Sequence, residues 1–285
     1  VNSLHILERF DLGKKPYPNA DSIHLICEAH KRAYMDHRSY NGDPRFINVP
    51  VKDLTSKFNA LQRAWEINVG AMTPYEDIKK SEFGKKLGME PAGVEYSSPS
   101  TTQISLIDKD GNMVSLTQTI AAFWGSGIVI PGTGILMNDS MINYGTASRS
   151  KPEPGKRCRL PISPAIVLKK GKPFLAFGGP GSDRIVCTNL IVFSNLVDHG
   201  MGLQDAIEAP RFFARDMSDR FQYEANMPEE VIDGLRKLGY PIEDKDIRDE
   251  LDMFFGGVQA VMMDPATGEL VGGADPRRDG AAVGY

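Results

Sequence analysis

Thr101-Thr102-Gln103-Ile104-Ser105-Leu106-Ile107-Asp108, then Lys109-Asp110-Gly111, then Asn112 to Thr119, is the stretch on which the reading of the chain turns. Two runs suited to strands flank a turn whose chemistry is specific. Asp108-Lys109-Asp110-Gly111-Asn112 fits a type I turn closed by a left-handed glycine, the three-residue hairpin loop with a bulge. That register sets Asp108 against Asn112 and Thr101 against Thr119, with side chains roughly 5 Å apart on one face. A hydroxyl at the start of a strand, with a second hydroxyl across from it, is an arrangement that chemistry can use. Taken alone, such a pair is more often a structural cross-strand pair, because threonine is common in strands.

The segment before the hairpin reads as a connection. From Thr73 to Ser100, Pro74, Gly84, Gly88, Pro91, Gly93 and Pro99 interrupt any periodicity, and Ser97-Ser98-Pro99-Ser100 leads straight into Thr101. A flexible polar linker is expected there. Residues 1–70 read as helical. Asn19 suits the cap of one helix running through Ile23, Ile26, Cys27 and Tyr34. Leu54, Phe58, Leu61, Trp65 and Val69 form the apolar stripe of another, from Asp53 to Gly70.

Beyond the hairpin, glycines and prolines between Phe123 and Leu136 predict loops around brief strands. No helix follows them, so they are not a phosphate cradle. A second hairpin is expected from Ala165 to Phe177 around Lys170-Gly171. A third is expected around Pro265-Ala266-Thr267-Gly268. Gly178-Gly179-Pro180-Gly181-Ser182-Asp183 precedes an apolar helix from Ile185 to Asp198, with Ser182 or Asp183 able to cap it. Amides at such a helix start point outward and favour negative charge, so this is either a structural turn or an oxyanion site. Short helices are expected at Leu203–Ala209 and Pro228–Leu238.

With 285 residues, 41% of them apolar and 25% charged, the chain has the composition of a globular protein with a sizeable core. A net charge of −4 offers no footprint for nucleic acid or an anionic membrane. No apolar run is long enough to span a bilayer, and no leader-like series opens the sequence. Without an initiator Met, and opening in what reads as mid-helix, the sequence is expected to be a piece of a longer or processed chain. A soluble protein is expected, in the cytoplasm or, if a leader precedes Val1, periplasmic or secreted. Cys27, Cys158 and Cys187 lack metal or redox spacing, and an odd count argues against a disulfide framework. His24, His30 and His37 lack both a HExxH spacing and clustered carboxylates, so they read as packed or solvated.

A Ser-His-Asp triad is poorly supported: GxSxG is absent, and His199 is the one histidine beyond residue 37. An N-terminal threonine needs no histidine, metal or cofactor. Its own α-amino group, pKa about 7.7 to 8, serves as the base once the preceding bond is cut. The linker ending at Ser100, the Thr101–Thr119 pair and the Gly181-Ser182 amides fit that scheme together.

At this point the chain resembles a known family, the γ-glutamyltransferases (glutathione hydrolases) of the N-terminal-nucleophile hydrolases. The residues that carry the resemblance are Thr101-Thr102-Gln103-x-Ser105-x-x-Asp108-x-x-Gly111-Asn112-x-Val114-Ser115-x-Thr117-x-Thr119, Gly125-Ser126-Gly127 and Pro131-Gly132-Thr133-Gly134. Pro154-Gly155-Lys156-Arg157, Ser163-Pro164, Pro180-Gly181, Glu208-Ala209-Pro210-Arg211 and the ending from Asp275 to Tyr285 extend it over nearly the whole chain. The resemblance implies an α+β fold, an αββα sandwich of two stacked, mainly antiparallel sheets between helical layers. It implies a precursor cut between Ser100 and Thr101. Residues 1–100 would be the end of a large subunit and 101–285 a small subunit, paired as a heterodimer that can assemble further. Thr101 would be the nucleophile, Thr119 its orienting partner, and the amides of Gly181 and Ser182 the oxyanion site. The substrate would be a small amide, and no nucleic acid, membrane, metal or cofactor is implied.

The departures concern the substrate. Gln103 stands where the family usually has His, and Ala121 where it has a substrate-binding Asn. Asn143 matches the acidic residue for the substrate's amino group. Leu160-Pro161 matches the Ser-Ser pair for its carboxylate. Three readings follow: a γ-glutamyl enzyme, an acylase or amidohydrolase with a different acyl group, and a non-catalytic family member.

Overall fold

The computed structural model describes residues 1–79, 100–145, 150–214, 218–264 and 266–284. The expected linker falls mostly at 80–99, outside them. The helices are α1 (Asn2–Leu7), α2 (Ala20–Tyr40), α3 (Val51–Leu54), α4 (Lys57–Trp65), α5 (Ile185–Val197), α6 (Leu203–Glu208) and α7 (Glu229–Lys237). The strands are β1 (Ser100–Ile107), β2 (Met113–Ala121), β3 (Ala165–Lys169), β4 (Lys172–Gly178), β5 (Phe212–Ala214), β6 (Phe221–Glu224), β7 (Ile247–Arg248), β8 (Gln259–Met263) and β9 (Leu270–Ala274). The chain divides into two compact units. The first draws on Val1–Val94, Asn143–Arg159 and Pro210–Glu250, and the second on Glu95–Ile142, Leu160–Ala209 and Leu251–Tyr285.

The first unit is built on α2. Asn19 caps it as expected, accepting the Ser22 N–H at 2.9 Å. Its buried face mixes Ile23, Ile26 and Cys27 with charged groups that are paired. Arg32 reaches Glu28 at 2.6 Å one turn away, and Asp36 takes Arg63 of α4 at 2.5 Å. Burial alone would raise Glu28, but Lys31, Thr73 and Arg32 outweigh it and hold the carboxyl below its ordinary value. Asp43 lies well below the carboxylate range because Arg45 and then Arg157 donate to it.

The expected helix from Asp53 to Gly70 is instead two, because Ser56 caps a new start by accepting the Asn59 N–H at 3.1 Å. Its expected stripe also faces the wrong way. Phe58, Trp65 and Val69 are exposed, while Asn59, Ala60, Arg63 and Ala64 turn inward around the ion pair. A three-stranded sheet, β5-β6-β7, adds a stacked Phe212–Phe221 pair and was not expected from the sequence.

The second unit contains two sheets. The hairpin β1-β2 forms one, and β3-β4-β8-β9 the other, antiparallel throughout. Lys170 and Gly171, at φ 53° and 78°, make the tight β3–β4 turn. One face of the four-stranded sheet packs on α5 and α6 through Leu175, Phe177, Val192, Leu196, Leu203 and Ile207. On Gly273 of β9 a Cβ would lie 2.6 Å from the Ile207 side chain and 3.0 Å from that of Leu203, so a larger residue there would have to displace them. The other face meets the hairpin, through Ser105 and Ser115 donating at 2.8 Å to Gln259 and Phe177 carbonyls. Sheet on sheet on helices is thus present within this unit. The hairpin's outward face carries Ile104, Leu106, Val114 and Leu116, each 40–48% exposed. Among the described residues, no helix is long and apolar enough to cross a membrane.

Candidate active site

Turn chemistry sets the hairpin register. Asp108 Oδ1 accepts the Asp110 and Asn112 N–H groups at 2.9 Å, and Asn112 Nδ2 donates to Oδ2 at 2.8 Å. These bonds, the Asn112 side chain foremost, hold the Asp108 carboxyl below its ordinary value. Gly111 takes φ 82°. Thr101 therefore faces Thr119, Gln103 faces Thr117 and Ser105 faces Ser115.

The Thr101 Oγ1–H donates to Thr119 Oγ1 at 2.9 Å. Thr119 Oγ1 also accepts the Ala121 N–H at 2.9 Å and donates to the Ser100 carbonyl at 3.2 Å. A hydroxyl has two acceptor lone pairs and one proton. With Thr101 and Ala121 on the lone pairs, the Thr119 proton is directed at the carbonyl of the Ser100–Thr101 peptide bond. Backbone geometry makes this possible. The register slips by one residue between Ser100 and Thr101, so Ser100 faces Ala121. Ala121 takes φ 68°, and its amide turns back onto Thr119. Bulges of this type re-aim side chains beside functional sites.

Pro180-Gly181-Ser182 forms a second tight feature. Gly181 has φ 145° and Ser182 φ 56°, a left-handed conformation uncommon for a residue with a Cβ. A Cβ on neighbouring Gly256 would lie 2.1 Å from the Pro180 carbonyl, so the two backbones touch. The helix start differs from expectation. Ser182–Arg184 is a 3₁₀ turn, α5 begins at Ile185, and neither start has a side-chain cap. A cleft of about 1100 Å³ runs along β1. Thr101 and Pro180 both line it, together with Gln259–Val261 and Arg278–Gly284.

The other candidate residues are placed as follows. Gln103 is buried, and its carboxamide is engaged by Ser105, Ser115, Thr117 and the Ile104 carbonyl. Ala121 is buried at the bulge. Leu160 is half-buried and Pro161 buried, and neither lines the cleft. Asn143 is buried and belongs to the first unit. The sequence reading assigned no role to Ser105, Ser115 and Thr117. Their signal is alternation: Thr101, Gln103 and Ser105 on β1 and Ser115, Thr117 and Thr119 on β2 fall at every second position, and the structure turns that side inward.

A family model described as gamma-glutamyltranspeptidase matches residues 1–285. The chain belongs to that family. Among curated relatives, the glutathione hydrolase proenzyme of Escherichia coli K12 is 33% identical over 299 residues, covering 100% of this chain and 48% of the relative. The acylase ACY 1 proenzyme of Pseudomonas sp. SE83 is 34% identical over 282 residues, covering 98% and 46%. The chain thus spans about half the length of the curated relatives it matches. Among solved structures, a cephalosporin acylase from Bacillus halodurans superposes with a TM-score of 0.80 at 30% identity, covering 100% of this chain and 49% of that one. A γ-glutamyltranspeptidase mutant from Pseudomonas nitroreducens matches with a TM-score of 0.56 at 31% identity, covering 65% of this chain and 98% of that one. With these neighbours, the α+β class and the N-terminal-nucleophile hydrolase type hold.

Proposed function

We propose that this chain is part of a self-processing amidase in which Thr101 first cuts its own chain and then carries the acyl group of a substrate. The observation that carries the reading is the hydroxyl relay from Thr101 through Thr119 to the Ser100 carbonyl, at 2.9 and 3.2 Å. In the first reaction, Thr101 Oγ bonds to the Ser100 carbonyl carbon. Its proton passes to Thr119 as the Thr119 proton moves onto the carbonyl oxygen. The C–N bond then breaks, the nitrogen takes a proton, and water hydrolyses the resulting ester. Thr101 is left with a free α-amino group, a base of suitable strength near neutral pH.

In the second reaction that amine takes the Thr101 Oγ proton as the hydroxyl attacks a substrate amide. The leaving amine departs with the proton, and water or another amine releases the acyl group. Amides at Gly181 and Ser182 hold the oxyanion in this scheme; Pro180 just before them borders the same cleft as Thr101, while Gly181 and Ser182 are not among its lining residues. A piece from Thr101 to Tyr285 has 185 of the 285 residues, or 65%. That share equals the part of this chain covered by the solved γ-glutamyltranspeptidase chain.

We infer a non-glutamyl acyl group. Ala121, Leu160 and Pro161 offer no side-chain donor or acceptor, and a charged amino-acid head group needs a partner for each buried charge. The resemblance to two acylases favours this reading, and the resemblance to glutathione hydrolases favours the γ-glutamyl one. Denaturing mass spectrometry of the whole protein tests the cut: a 185-residue piece beginning at Thr101 is expected, and Thr101→Ala removes it. A folded protein that stays intact on long incubation overturns the reading in favour of a non-catalytic member. Chromogenic anilides test the acyl group, and turnover restricted to the γ-glutamyl compound would reverse the substrate inference.

A further inference from the structure

The face of β1-β2 that meets the second sheet is polar at Thr101, Gln103, Ser105, Ser115, Thr117 and Thr119, with Ile107, Met113 and Ala121 at its ends. Such a face is ordinarily apolar where two sheets pack. Gln103 is its hub. Its Nε2 donates to Ser105 and Ser115 Oγ at 2.9 Å and lies 3.1 Å from the Ile104 carbonyl, and its Oε1 accepts the Thr117 Oγ1–H at 2.5 Å. The two serines pass the connection on to the carbonyls of Gln259 in β8 and Phe177 in β4. Gly178 of β4 makes the room: a Cβ there would lie 2.6 Å from Gln103 Oε1. One carboxamide thereby ties strand to strand and sheet to sheet.

Thr117 and Gln103 form the cross-strand pair next along the same face from Thr101 and Thr119. Successive pairs on one face are about 7 Å apart, so a shift at one is felt at the other. We propose that Gln103 is a positioning residue for the Thr101–Thr119 pair, acting through Thr117 and the two serines, and that it is not a substrate ligand. This rests on the Thr101 reading above. The physical argument is one of saturation and placement. Gln103 borders the cleft, yet the residue is only 7% exposed and its carboxamide donors and acceptor are engaged inside the protein. Misplacing a reacting group by about 1 Å costs on the order of 100-fold in rate.

The test uses the whole protein that contains this chain. It measures the first-order rate at which the Thr101 piece forms, then kcat and KM per titrated active site on an anilide the protein turns over. Gln103→Met keeps length and apolar volume but loses every hydrogen bond. It is expected to slow both cleavage and kcat by about 10- to 100-fold and leave KM within about two-fold. Gln103→His retains one donor and one acceptor and is expected to restore most of the rate. Gly178→Ala, which pushes on the carboxamide without changing it, is expected to reproduce the slow phenotype. It also serves if Gln103→Met fails to fold. Adding Thr117→Val to Gln103→Met should slow the reaction no further, because both act through one connection.

A raised KM at unchanged kcat would overturn the proposal and make Gln103 a substrate ligand. Wild-type rates per titrated site with a lowered Tm would overturn it in favour of a purely structural role. An uncut wild-type protein would overturn the Thr101 reading and this proposal with it, and that result is visible before any variant is made.

Discussion

Replacing Thr119 with valine removes one hydroxyl and keeps the shape. The structure gives the consequences separately for folding and for chemistry. Three hydrogen bonds disappear: the one accepted from Thr101, the one accepted from the Ala121 N–H and the one donated to the Ser100 carbonyl. The Ala121 amide belongs to a fully buried residue and is left without that acceptor, at a cost of about 1–3 kcal/mol. The Thr101 hydroxyl can rotate toward another partner, so its loss is about 1 kcal/mol, and the total destabilisation is about 2–4 kcal/mol. For the self-cleavage, the donor to the Ser100 oxygen acts where negative charge develops. Removing one such donor costs about 100- to 1000-fold, or 2.7–4 kcal/mol of barrier. The assay is a denaturing mass-spectrometric time course of the Thr101 piece, with circular dichroism to establish folding. Thr119→Ser keeps the hydroxyl and should cut at a rate close to wild type. Cleavage of folded Thr119→Val within a few-fold of wild type would refute the relay. A serine variant as slow as valine would refute it too, since the methyl group would then be what matters.

Three further outcomes follow from the fold. His30 is buried, neither ring nitrogen has a hydrogen-bond partner among the described residues, and burial pushes its pKa from 6.5 to about 4. The unfolded chain therefore binds a proton that the folded one refuses, so stability falls as pH drops from 6.5 toward 4, by about 3 kcal/mol over that window. His37, also lowered to about 4 by burial and then by Arg159 and Arg38, gives a slope of the same sign, so His30→Phe should reduce the slope in urea titrations across that range without abolishing it, and an unchanged slope would exclude His30 as a source. Asp36→Ala leaves Arg63 of α4 without its nearest carboxylate and should cost about 3–5 kcal/mol by urea denaturation, while Asp36→Leu with Arg63→Leu should cost less than Asp36→Ala alone. Gly111→Ala at φ 82° should lose about 1–2 kcal/mol and lower Tm, because a left-handed turn residue gains a Cβ that meets Pro173 at 3.2 Å.

The hairpin was legible from sequence because its register is a local property. Asp108 and Gly111 fix the turn, and the turn fixes every pair up to Thr101. Helix α2 was legible for the same kind of reason, an Asn cap ahead of a periodic run. What was not legible depended on partners distant in sequence. The inward face of α4 was misjudged because Arg63 is buried against Asp36, and periodicity alone favours Phe58 and Trp65 for that side. The sheet β5-β6-β7 escaped because its strands have three, four and two residues, too few to show alternation. At the candidate site, the pairing of Thr101 with Thr119 and the tight turn after Pro180 could be read from sequence. The role of Gln103 could not, because it depends on Gly178 and on carbonyls of two other strands. Thr101, Gln103, Ser105, Ser115, Thr117 and Thr119 lie on the hairpin's inward face and Ile104, Leu106, Val114 and Leu116 on its outward one, so a rule that sends apolar residues inside misplaces this stretch, though not the buried Ile107.

The slip between Ser100 and Thr101 has a consequence for what survives a cut at that bond. Eight cross-strand pairs join β1 to β2, and Ser100 takes part in one of them, the pair beyond the slip. Severing the chain there would detach a single rung at the end of the ladder and leave the other seven closed. The newly exposed amine would stay moored at its working position, so the protein could break its own backbone at the reactive residue without unzipping the element that aims it.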